Sequence, residues 1–488
     1  MEIAGAKKGY GLKNRIMFGV AEFYSGGCFV IINTFFSVFL VKSLGMPIAL
    51  VGTIPLVGKI WDAITDPIMG NITDRTRSRF GPKRFYILIG GIISAITFVL
   101  MWLTIPTKST IGLYIFYLFM YCLFSTGYTI ISVPYNGLLP DMIDDYAIRA
   151  KFSNMRMIWS TLGSMVSGLV PTILIKDTTV SYYYLEMGIL FGIIYLLVSL
   201  ITFAGTWEYI HEPVKNKMSD SFSQAAAVYR SKSFVIFIII YLSGQCGMDF
   251  VSGMAVYYVE DVLAGKLMYM MAVLLISQLV GMVIWGPVMY KKSKKFTLLL
   301  GAPLRIIATL ILLRFSYEGA SLIPILICTA FIGLGNAATL TSIFAIMADM
   351  ADVDELITSI HRPGTVSGMA TFTRKISSGL SAAAIGFLLS AVGYDEDLAS
   401  SGLRQSLSTQ QGIAYIYVFV PVILVAILLI ASIVFPMTST EFATIKKEIE
   451  RHKGLDSSVT SDEEKIICEK VTGISYDKLW NPDNAKTF

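Results

Sequence analysis

Apolar runs of about twenty residues recur along the whole chain, and this repetition limits the chain to a membrane fold. A helix that crosses the hydrocarbon core of a bilayer needs about 20 mostly apolar residues. Hydrophobic residues make up 55% of the 488 residues, and charged residues make up only 15%. Twelve such runs can be placed, the first near 17–41 and the last near 411–436. The sequence therefore predicts an all-α membrane protein with twelve transmembrane helices.

Lysine and arginine residues between the runs predict the orientation of the chain. They cluster in alternate loops, such as residues 75–84 after the second run and 291–295 after the eighth. Short loops rich in Lys and Arg stay in the cytoplasm. We therefore expect a multi-pass protein of the cell membrane, plasma or inner, with both termini in the cytoplasm. The polar residues 437–488 are expected to form a cytoplasmic tail, with a short helix around 441–453 followed by weakly ordered chain.

The chain also repeats itself at an interval of about 210–220 residues. The segment around Arg156 in the fifth run matches that around Arg374 in the eleventh, and the first and seventh runs end in similar segments. Two six-helix halves account for this pattern. The predicted domains are an N-terminal half at 1–206, a central cytoplasmic linker at 207–232, a C-terminal half at 233–436 and the tail at 437–488. A parallel repeat of this kind is the plan of the major facilitator fold, in which substrate binds between the halves near the bilayer midplane.

Two carboxylates and an ammonium group lie within the second run, in the segment Lys59-Ile-Trp-Asp62-Ala-Ile-Thr-Asp66. A charged side chain near the middle of a membrane helix costs about 2.5–3.5 kcal/mol on insertion scales, so these groups need partners. Asp62 and Asp66 are four residues apart and share one helix face, and Lys59 lies one turn earlier. A structural ion-pair cluster with Lys59 is one interpretation. We favour a cation site, because ionisable residues inside a membrane usually serve function.

These segments resemble the glycoside–pentoside–hexuronide:cation symporters, the melibiose-permease family of the major facilitator superfamily. The similarity covers about residues 15–440 and is carried by Ile60-Trp-Asp62-Ala-Ile-Thr-Asp66-Pro-Ile-Met-Gly70, Thr76-Arg77-Ser-Arg79-Phe-Gly81 and Tyr128-Thr129-Ile. In that family two aspartates of helix two and a threonine of helix four hold the coupling cation. The resemblance places these roles on Asp62, Asp66 and Thr129. It also implies a part in coupling for Lys375 in helix eleven and for Lys59, which stands where the family often has arginine.

The resemblance breaks down at the positions that bind the sugar in the melibiose-permease type. The acidic residues of helices one and four align with Gly26 and Ser132, and a stacking tryptophan aligns with Asn136. Glu22 and Asp249 are candidate replacement carboxylates, although each could instead be an interhelical polar contact. The predicted substrate-binding residues are Arg156, Tyr128, Asn136, Ser132, Glu22, Asp249, Thr371 and Gln278, with Asn33, Gln245 and Asn336 as further polar candidates.

The charges also predict how coupling and gating work. A hard cation such as Na⁺ exchanges its hydration shell for oxygen ligands, but protonation of one of two close carboxylates would serve as well. The coupling cation is therefore Na⁺ or H⁺, with Thr129 favouring Na⁺, and no other cofactor is expected. Lys375 is expected to balance Asp62 and Asp66 when the cation is absent. The predicted cytoplasmic gate consists of Arg75, Arg77, Arg79, Asp141, Asp349 and Asp352, with Lys83, Asp144 and Asp145 beside them.

Together these features predict a cation-coupled secondary symporter that imports a sugar, glycoside, oligosaccharide or hexuronide by alternating access. The expected partners are that substrate, a monovalent cation and the lipid bilayer, without nucleic acid, and a monomer is expected. An enzyme is not expected, because the three histidines, His211, His361 and His452, lie in loops and no nucleophile constellation stands out. The alternatives are a lysolipid or other non-sugar symporter of the same superfamily, and a transporter-derived sugar sensor.

Overall fold

The structure, a computed structural model, describes residues 3–4, 9–107, 109–143, 146–209, 226–265, 267–360 and 362–485. Within these residues the chain is almost wholly helical. The one pair of strands described, β1 (Ile3–Ala4) and β2 (Glu208–Tyr209), is antiparallel and two residues long on each side.

Six helices occupy the first part of the chain. They are α1 (Leu12–Ser43), α2 (Ile48–Arg75), α3 (Pro82–Leu100), α4 (Thr110–Met142), α5 (Tyr146–Leu174) and α6 (Ser181–Gly205). Helix α1 contains two π-helical turns, Ile32–Phe36 and Phe39–Ser43. Helix α3 begins after Gly81, whose φ of 93° is a conformation that glycine adopts without strain. The buried carboxylate of Glu208 accepts the first backbone N–H groups of α3 and so caps its start.

Six further long helices follow. They are α7 (Lys232–Val262), α8 (Leu267–Lys291), α9 (Lys294–Leu313), α10 (Leu322–Thr358), α11 (Pro363–Ala391) and α12 (Leu407–Val434). Helix α7 ends in a π-helical turn, Tyr258–Val262, just as α1 does. A five-residue helix, Glu396–Ser400, connects α11 to α12.

The lengths and compositions of these helices confirm an all-α membrane protein. Among the described residues, 11 helices are long and apolar enough to cross a bilayer. The predicted eleventh span falls on α11, which is 29 residues long but contains many serine and glycine residues as well as Arg374 and Lys375, and it is not one of the 11. The count of twelve spans therefore stays a prediction.

The helices group into two compact units. Unit 1 comprises Met1–Asn216, Ser252–Met271 and Ser378–Ile413, and unit 2 comprises Lys217–Val251, Ala272–Ser377 and Ala414–Phe488. Unit 1 thus holds α1–α6 together with the end of α7 and the second half of α11. Unit 2 holds the start of α7, all of α9 and α10, and the first half of α11. The predicted division into halves at 1–206 and 233–436 stays a prediction.

Small residues allow α1 and α5 to approach closely within unit 1. A Cβ atom added to Gly26 would lie 2.4 Å from the carbonyl oxygen of Ser160, and one added to Gly163 would lie 2.3 Å from that of Phe23. Small residues at such crossings are typical of membrane helices, whose backbones then pack against each other. This crossing brings Glu22 of α1 beside Arg156 of α5.

The chain after α12 folds onto the rest of unit 2. Helices α13 (Ser439–His452) and α14 (Asp462–Thr472) each begin with a capping box, in which a hydroxyl and a glutamate exchange hydrogen bonds with the backbone. Their apolar residues Ile445, Ile449, Cys468 and Val471 are buried in one cluster with the start of α7 and the end of α10. The expected helix around 441–453 is therefore confirmed. The expectation of weak order beyond it is wrong, because α14 buries its apolar face instead of exposing it to water.

Candidate functional site

Helices α2 and α4 meet along a stripe of polar contacts that repeats every four residues. Ser125 Oγ of α4 donates to Asp62 Oδ1 of α2 at 2.5 Å. One turn further along both helices, Thr129 Oγ1 donates to Asp66 Oδ1 at 2.8 Å. Residues four apart lie above one another on a helix, so the two carboxylates and the two hydroxyls form a ladder between α2 and α4. The structure thus brings together the three residues predicted for the cation, and adds Ser125.

The closeness of α2 and α4 depends on a glycine one turn before Asp62. A Cβ atom added to Gly58 would lie 2.2 Å from Cε1 of the Tyr121 ring on α4. Asp62 lies four residues after Gly58 on α2, and Ser125 lies four residues after Tyr121 on α4, so the next contact along the two helices is the Ser125–Asp62 hydrogen bond. Because Gly58 has no side chain, the short hydroxyl groups of α4 can reach the carboxylates of α2.

Lys59 lies against the first carboxylate of the ladder. Its Nζ is 3.4 Å from Asp62 Oδ2 and 3.7 Å from the centre of the Phe29 ring, which adds a cation–π contact. Lys59 is 5% exposed and Asp62 is 0% exposed. Both oxygens of Asp62 therefore have a partner inside unit 1, Ser125 at Oδ1 and Lys59 at Oδ2. The structure contains both the Lys59–Asp62 ion pair and the hydroxyl ladder. A structural ion pair with Lys59 therefore does not exclude a cation site at Asp62 and Asp66.

Two predicted substrate residues, Glu22 and Asn136, contact a third, Arg156, in unit 1. Arg156 Nε donates to Glu22 Oε1 at 2.9 Å, and its Nη2 donates to the same oxygen and, at 2.7 Å, to Asn136 Oδ1. The guanidinium carbon lies 4.6 Å from the centre of the Tyr135 ring. Glu22 thus neutralises Arg156, while the amide of Asn136 adds a neutral polar group to the pair.

Two more predicted substrate residues of unit 1 lie on α4. Tyr128 packs edge-on against Phe29, with ring centroids 4.8 Å apart, and also contacts the Tyr24 ring. Ser132 is buried one turn further along α4. Tyr128 therefore contacts α1, whereas the neighbouring Thr129 contacts α2.

In unit 2 an arginine and an aspartate form a bidentate pair. Arg374 Nη1 donates to Asp249 Oδ2 and Nη2 to Asp249 Oδ1, each at 2.7 Å. This two-pronged geometry is the strong form of an arginine–carboxylate contact. Asp249 was a predicted substrate residue, whereas the sequence signal for Arg374 was its match to Arg156 in the repeat.

Three further predicted residues of unit 2 lie on α8 and α11. Gln278 on α8 is half-buried and Thr371 on α11 is exposed. Lys375 is half-buried on α11 in unit 2, whereas Asp62 and Asp66 belong to unit 1. The predicted pairing of Lys375 with these aspartates stays a prediction.

The acidic residues of the predicted cytoplasmic gate have lysine partners within unit 2. Lys294 Nζ donates to both oxygens of Asp349 at 2.5 Å, and Lys446 Nζ donates to Asp352 Oδ1 at 2.6 Å. Arg79, like Arg77, is exposed, and its guanidinium lies 4.7 Å from the centre of the neighbouring Phe80 ring. The gate itself stays a prediction. Its other residues, namely the side chains of Arg75 and Asp141 and the whole of Asp144 and Asp145, lie outside what the structure describes.

A second ion cluster, which sequence analysis missed as a site, lies at the ends of α1 and α7. Lys42 Nζ is 3.1 Å from Glu260 Oε2 and 3.2 Å from Asp261 Oδ1. Thr178 donates to Glu260 Oε2 at 2.7 Å, and Tyr394 donates to Asp261 Oδ2 at 3.3 Å. The cluster borders a polar cavity of about 370 Å³. The available sequence signal was the placement of opposite charges at matching ends of the first and seventh runs.

The fold and these buried charges define a multi-pass membrane transporter. The family model described as MFS/sugar transport protein matches residues 17–439, and the chain belongs to this family. This membership confirms the family and fold predicted from the sequence. It also confirms the prediction that the chain is a transport protein and not an enzyme.

Curated relatives resemble the chain over most of its length. It is 26% identical over 422 residues to the isoprimeverose transporter of Lactiplantibacillus pentosus, covering 84% of this chain and 85% of that protein. It is 25% identical over 470 residues to the putative glycoside/cation symporter YagG of Escherichia coli strain K12, covering 92% and 97%. It is 24% identical over 430 residues to the glucuronide carrier protein homolog of the same strain, covering 86% and 91%. The family match confirms the predicted sugar transporter class, and the names of these relatives support the cation-coupled symport predicted from the sequence.

Solved structures share the fold at low sequence identity. A bacterial homologue of the human lysosomal transporter Spinster superposes with a TM-score of 0.63 at 14% identity, covering 91% of this chain and 99% of that one. The nucleoside transporter NupG superposes with a TM-score of 0.59 at 15% identity, covering 86% and 98%. These likenesses confirm the architecture alone.

Proposed function

We propose that the protein is a Na⁺-coupled symporter that imports a neutral sugar or glycoside across the cell membrane, with both termini in the cytoplasm. Asp62, Asp66 and Thr129 form its cation site. The observation that carries this proposal is the Thr129–Asp66 contact at 2.8 Å, one helical turn from the fully buried Asp62. Relatives named as an isoprimeverose transporter and a glycoside/cation symporter support the type of substrate.

The donor atoms of the α2–α4 ladder suit a hard monovalent cation. Carboxylate and hydroxyl oxygens are the ligands that such ions prefer, and both kinds lie on one stripe here. A hydroxyl such as that of Thr129 can coordinate Na⁺ through its lone pairs, whereas it adds no group that stores a proton near neutral pH. The ladder therefore favours Na⁺ over H⁺. An inward Na⁺ gradient adds to the membrane potential, which supplies about 2.3 kcal/mol per charge per 100 mV.

The ion pairs of both units favour a substrate without net charge. Arg156 is matched by Glu22 in unit 1, and Arg374 is matched by Asp249 in unit 2. An arginine that already holds a carboxylate has little charge left to recognise the carboxylate of a hexuronide. The same pair still offers N–H donors and oxygen acceptors to sugar hydroxyls. A hexuronide is the alternative, since one relative is named as a glucuronide carrier protein homolog.

Uptake by purified protein in proteoliposomes tests the proposal. Vesicles receive an inward Na⁺ gradient, an inward H⁺ gradient or neither, and are offered neutral pentosides, hexosides and disaccharides beside hexuronides. We expect a neutral sugar to accumulate above its external concentration with the Na⁺ gradient only. Accumulation driven by H⁺ alone would contradict Na⁺ coupling, and accumulation of hexuronides alone would contradict the neutral substrate. Binding of a sugar without any flux would indicate a sensor, and competition by lysolipids but not by sugars would indicate a lysolipid carrier.

A further inference from the structure

We infer that Ser125 is a positioning residue of the cation site, which holds the Asp62 carboxylate in the orientation that Na⁺ binding requires. The inference rests on the proposed function and adds to it a residue on α4 that neither the sequence motif nor the family resemblance marked. Ser125 contacts Oδ1 of Asp62, and Lys59 contacts Oδ2 of the same carboxylate.

The geometry leaves the Asp62 carboxylate little freedom to rotate. Ser125 and Asp62 are both 0% exposed, and their oxygens are 2.5 Å apart, the distance of a charge-assisted O–H···O contact. On the other side of the same carboxylate, Lys59 Nζ lies 3.4 Å from Oδ2. The χ2 angle of an aspartate is otherwise broad, so two partners on opposite oxygens are what fixes this carboxylate.

Ser125 and Thr129 occupy equivalent places on the ladder. They are one turn apart on α4 and donate to carboxylates that are one turn apart on α2. Thr129 donates to the half-buried Asp66, whereas Ser125 donates to the fully buried Asp62. The site therefore contains two hydroxyl–carboxylate pairs. In the more deeply buried pair, Ser125 and Asp62, the carboxylate also contacts the ammonium group of Lys59.

The ammonium group explains why the orientation affects cation binding. Without the hydroxyl of Ser125, nothing described in this part of the chain holds Oδ1 of Asp62 away from Lys59. The carboxylate is then free to rotate and to present both oxygens to the ammonium group. Na⁺ has to compete with that tighter pair, so its apparent affinity falls. The change acts on the cation site and not on the residues predicted to bind the sugar, so we expect an unchanged sugar KM at saturating Na⁺.

Three variants test the role of Ser125. Ser125→Ala removes the donor, and Ser125→Cys keeps nearly the same volume but donates only weakly. The control is Thr126→Ala, which removes a hydroxyl at the next position. That hydroxyl accepts from Trp61 Nε1 and donates to the Cys122 carbonyl, and it does not belong to the ladder. The readout is the Na⁺ concentration that gives half-maximal sugar uptake by proteoliposomes, measured together with the maximal rate and the sugar KM at saturating Na⁺.

For Ser125→Ala we expect the half-maximal Na⁺ concentration to rise about tenfold, which corresponds to about 1.4 kcal/mol. Ser125→Cys should give a smaller rise in the same direction, and Thr126→Ala should match the wild type. A fall in the maximal rate with an unchanged Na⁺ dependence in both Ser125 variants would assign Ser125 a merely structural role and overturn the inference. The Asp62→Asn variant separates this failure from that of the site itself, because wild-type Na⁺ dependence in Asp62→Asn would overturn the proposed function as well.

Discussion

Lys42 Nζ lies 3.2 Å from Asp261 Oδ1, and these residues lie in the π-helical turns that end α1 and α7. The two turns occupy matching places in the sequence repeat, yet they carry opposite charges. Lys42 is 4% exposed and Asp261 is 5% exposed, so the pair is shielded from water. Glu260 adds a second carboxylate to Lys42 at 3.1 Å. The relationship ties the end of α7 to the N-terminal helices within unit 1.

The first prediction concerns this cluster. Lys42→Met should lower the stability of the protein by about 3–5 kcal/mol, because it leaves a buried carboxylate without its cation. Adding Glu260→Gln and Asp261→Asn to Lys42→Met should restore most of the loss, since no uncompensated charge then remains. The measurement is the thermal midpoint of the purified variants. Lys176→Met removes an exposed lysine at the rim of the same cavity and serves as the control. Equal midpoints for Lys42→Met and Lys176→Met would disprove the role of the pair.

The second prediction concerns the folded tail. Ile445 on α13 is 0% exposed, whereas Ile466 on α14 is 63% exposed. Ile445→Ala should destabilise unit 2 by about 2–5 kcal/mol, because it opens a cavity between the tail and the end of α10. Ile466→Ala makes the same chemical change at the surface and should leave the thermal midpoint within error of the wild type. If both variants behave alike, the tail is not packed as described.

The third prediction concerns the pH dependence of the tail. The Arg451 guanidinium, followed by the Ser461 backbone N–H, lowers the pKa of the Glu464 carboxyl to about 2. Because the ordinary value is about 4.3, the stabilisation by Glu464 is complete above about pH 4.3 and is lost as the pH falls towards 2. The thermal midpoint of Glu464→Gln should therefore lie below that of the wild type at pH 6, and the gap should narrow by pH 3. The exposed Glu463, changed to Gln, is the control. A difference in thermal midpoint that stays constant with pH would contradict the lowered pKa of the Glu464 carboxyl.

The positions of the helices and the charged stripe of α2 followed directly from the sequence. Long apolar runs are read from composition, and an i, i+4 pair of aspartates inside one run is visible without a partner helix. Ser125 could not be recognised in this way. A serine in an apolar helix is common, and its role appears only when the register of α2 against α4 places it opposite Asp62.

Other contacts join residues that are far apart in the sequence, and no local sequence pattern predicts such contacts. Lys42 and Asp261 come together only because α1 and α7 end side by side in unit 1. The folded tail, in contrast, had a local signal. Ser461 is followed three residues later by Glu464, the pattern of a capping box, and this pattern predicts the start of α14.

The fourth prediction concerns Lys375 on α11. Lys375→Ala should severely impair transport and lower the thermal midpoint, because removing one partner of a buried charge pair costs about 3–5 kcal/mol. If its partners are the α2 carboxylates, adding Asp62→Asn should restore the midpoint but not coupled transport. Lys465→Ala, at a solvent-exposed lysine of α14, is the matched control. Additive effects of Lys375→Ala and Asp62→Asn would show that the two residues act independently.

Na⁺-driven sugar accumulation by the Asp66→Asn variant in proteoliposomes shows whether the α2 carboxylates hold the coupling cation. The same change of carboxylate to amide at the exposed Asp395 is the control, because asparagine also caps a helix start well. We expect no accumulation above the external sugar concentration for Asp66→Asn and normal accumulation for Asp395→Asn. Accumulation by Asp66→Asn at the wild-type level, driven by the same Na⁺ gradient, would contradict a cation site at the α2 carboxylates.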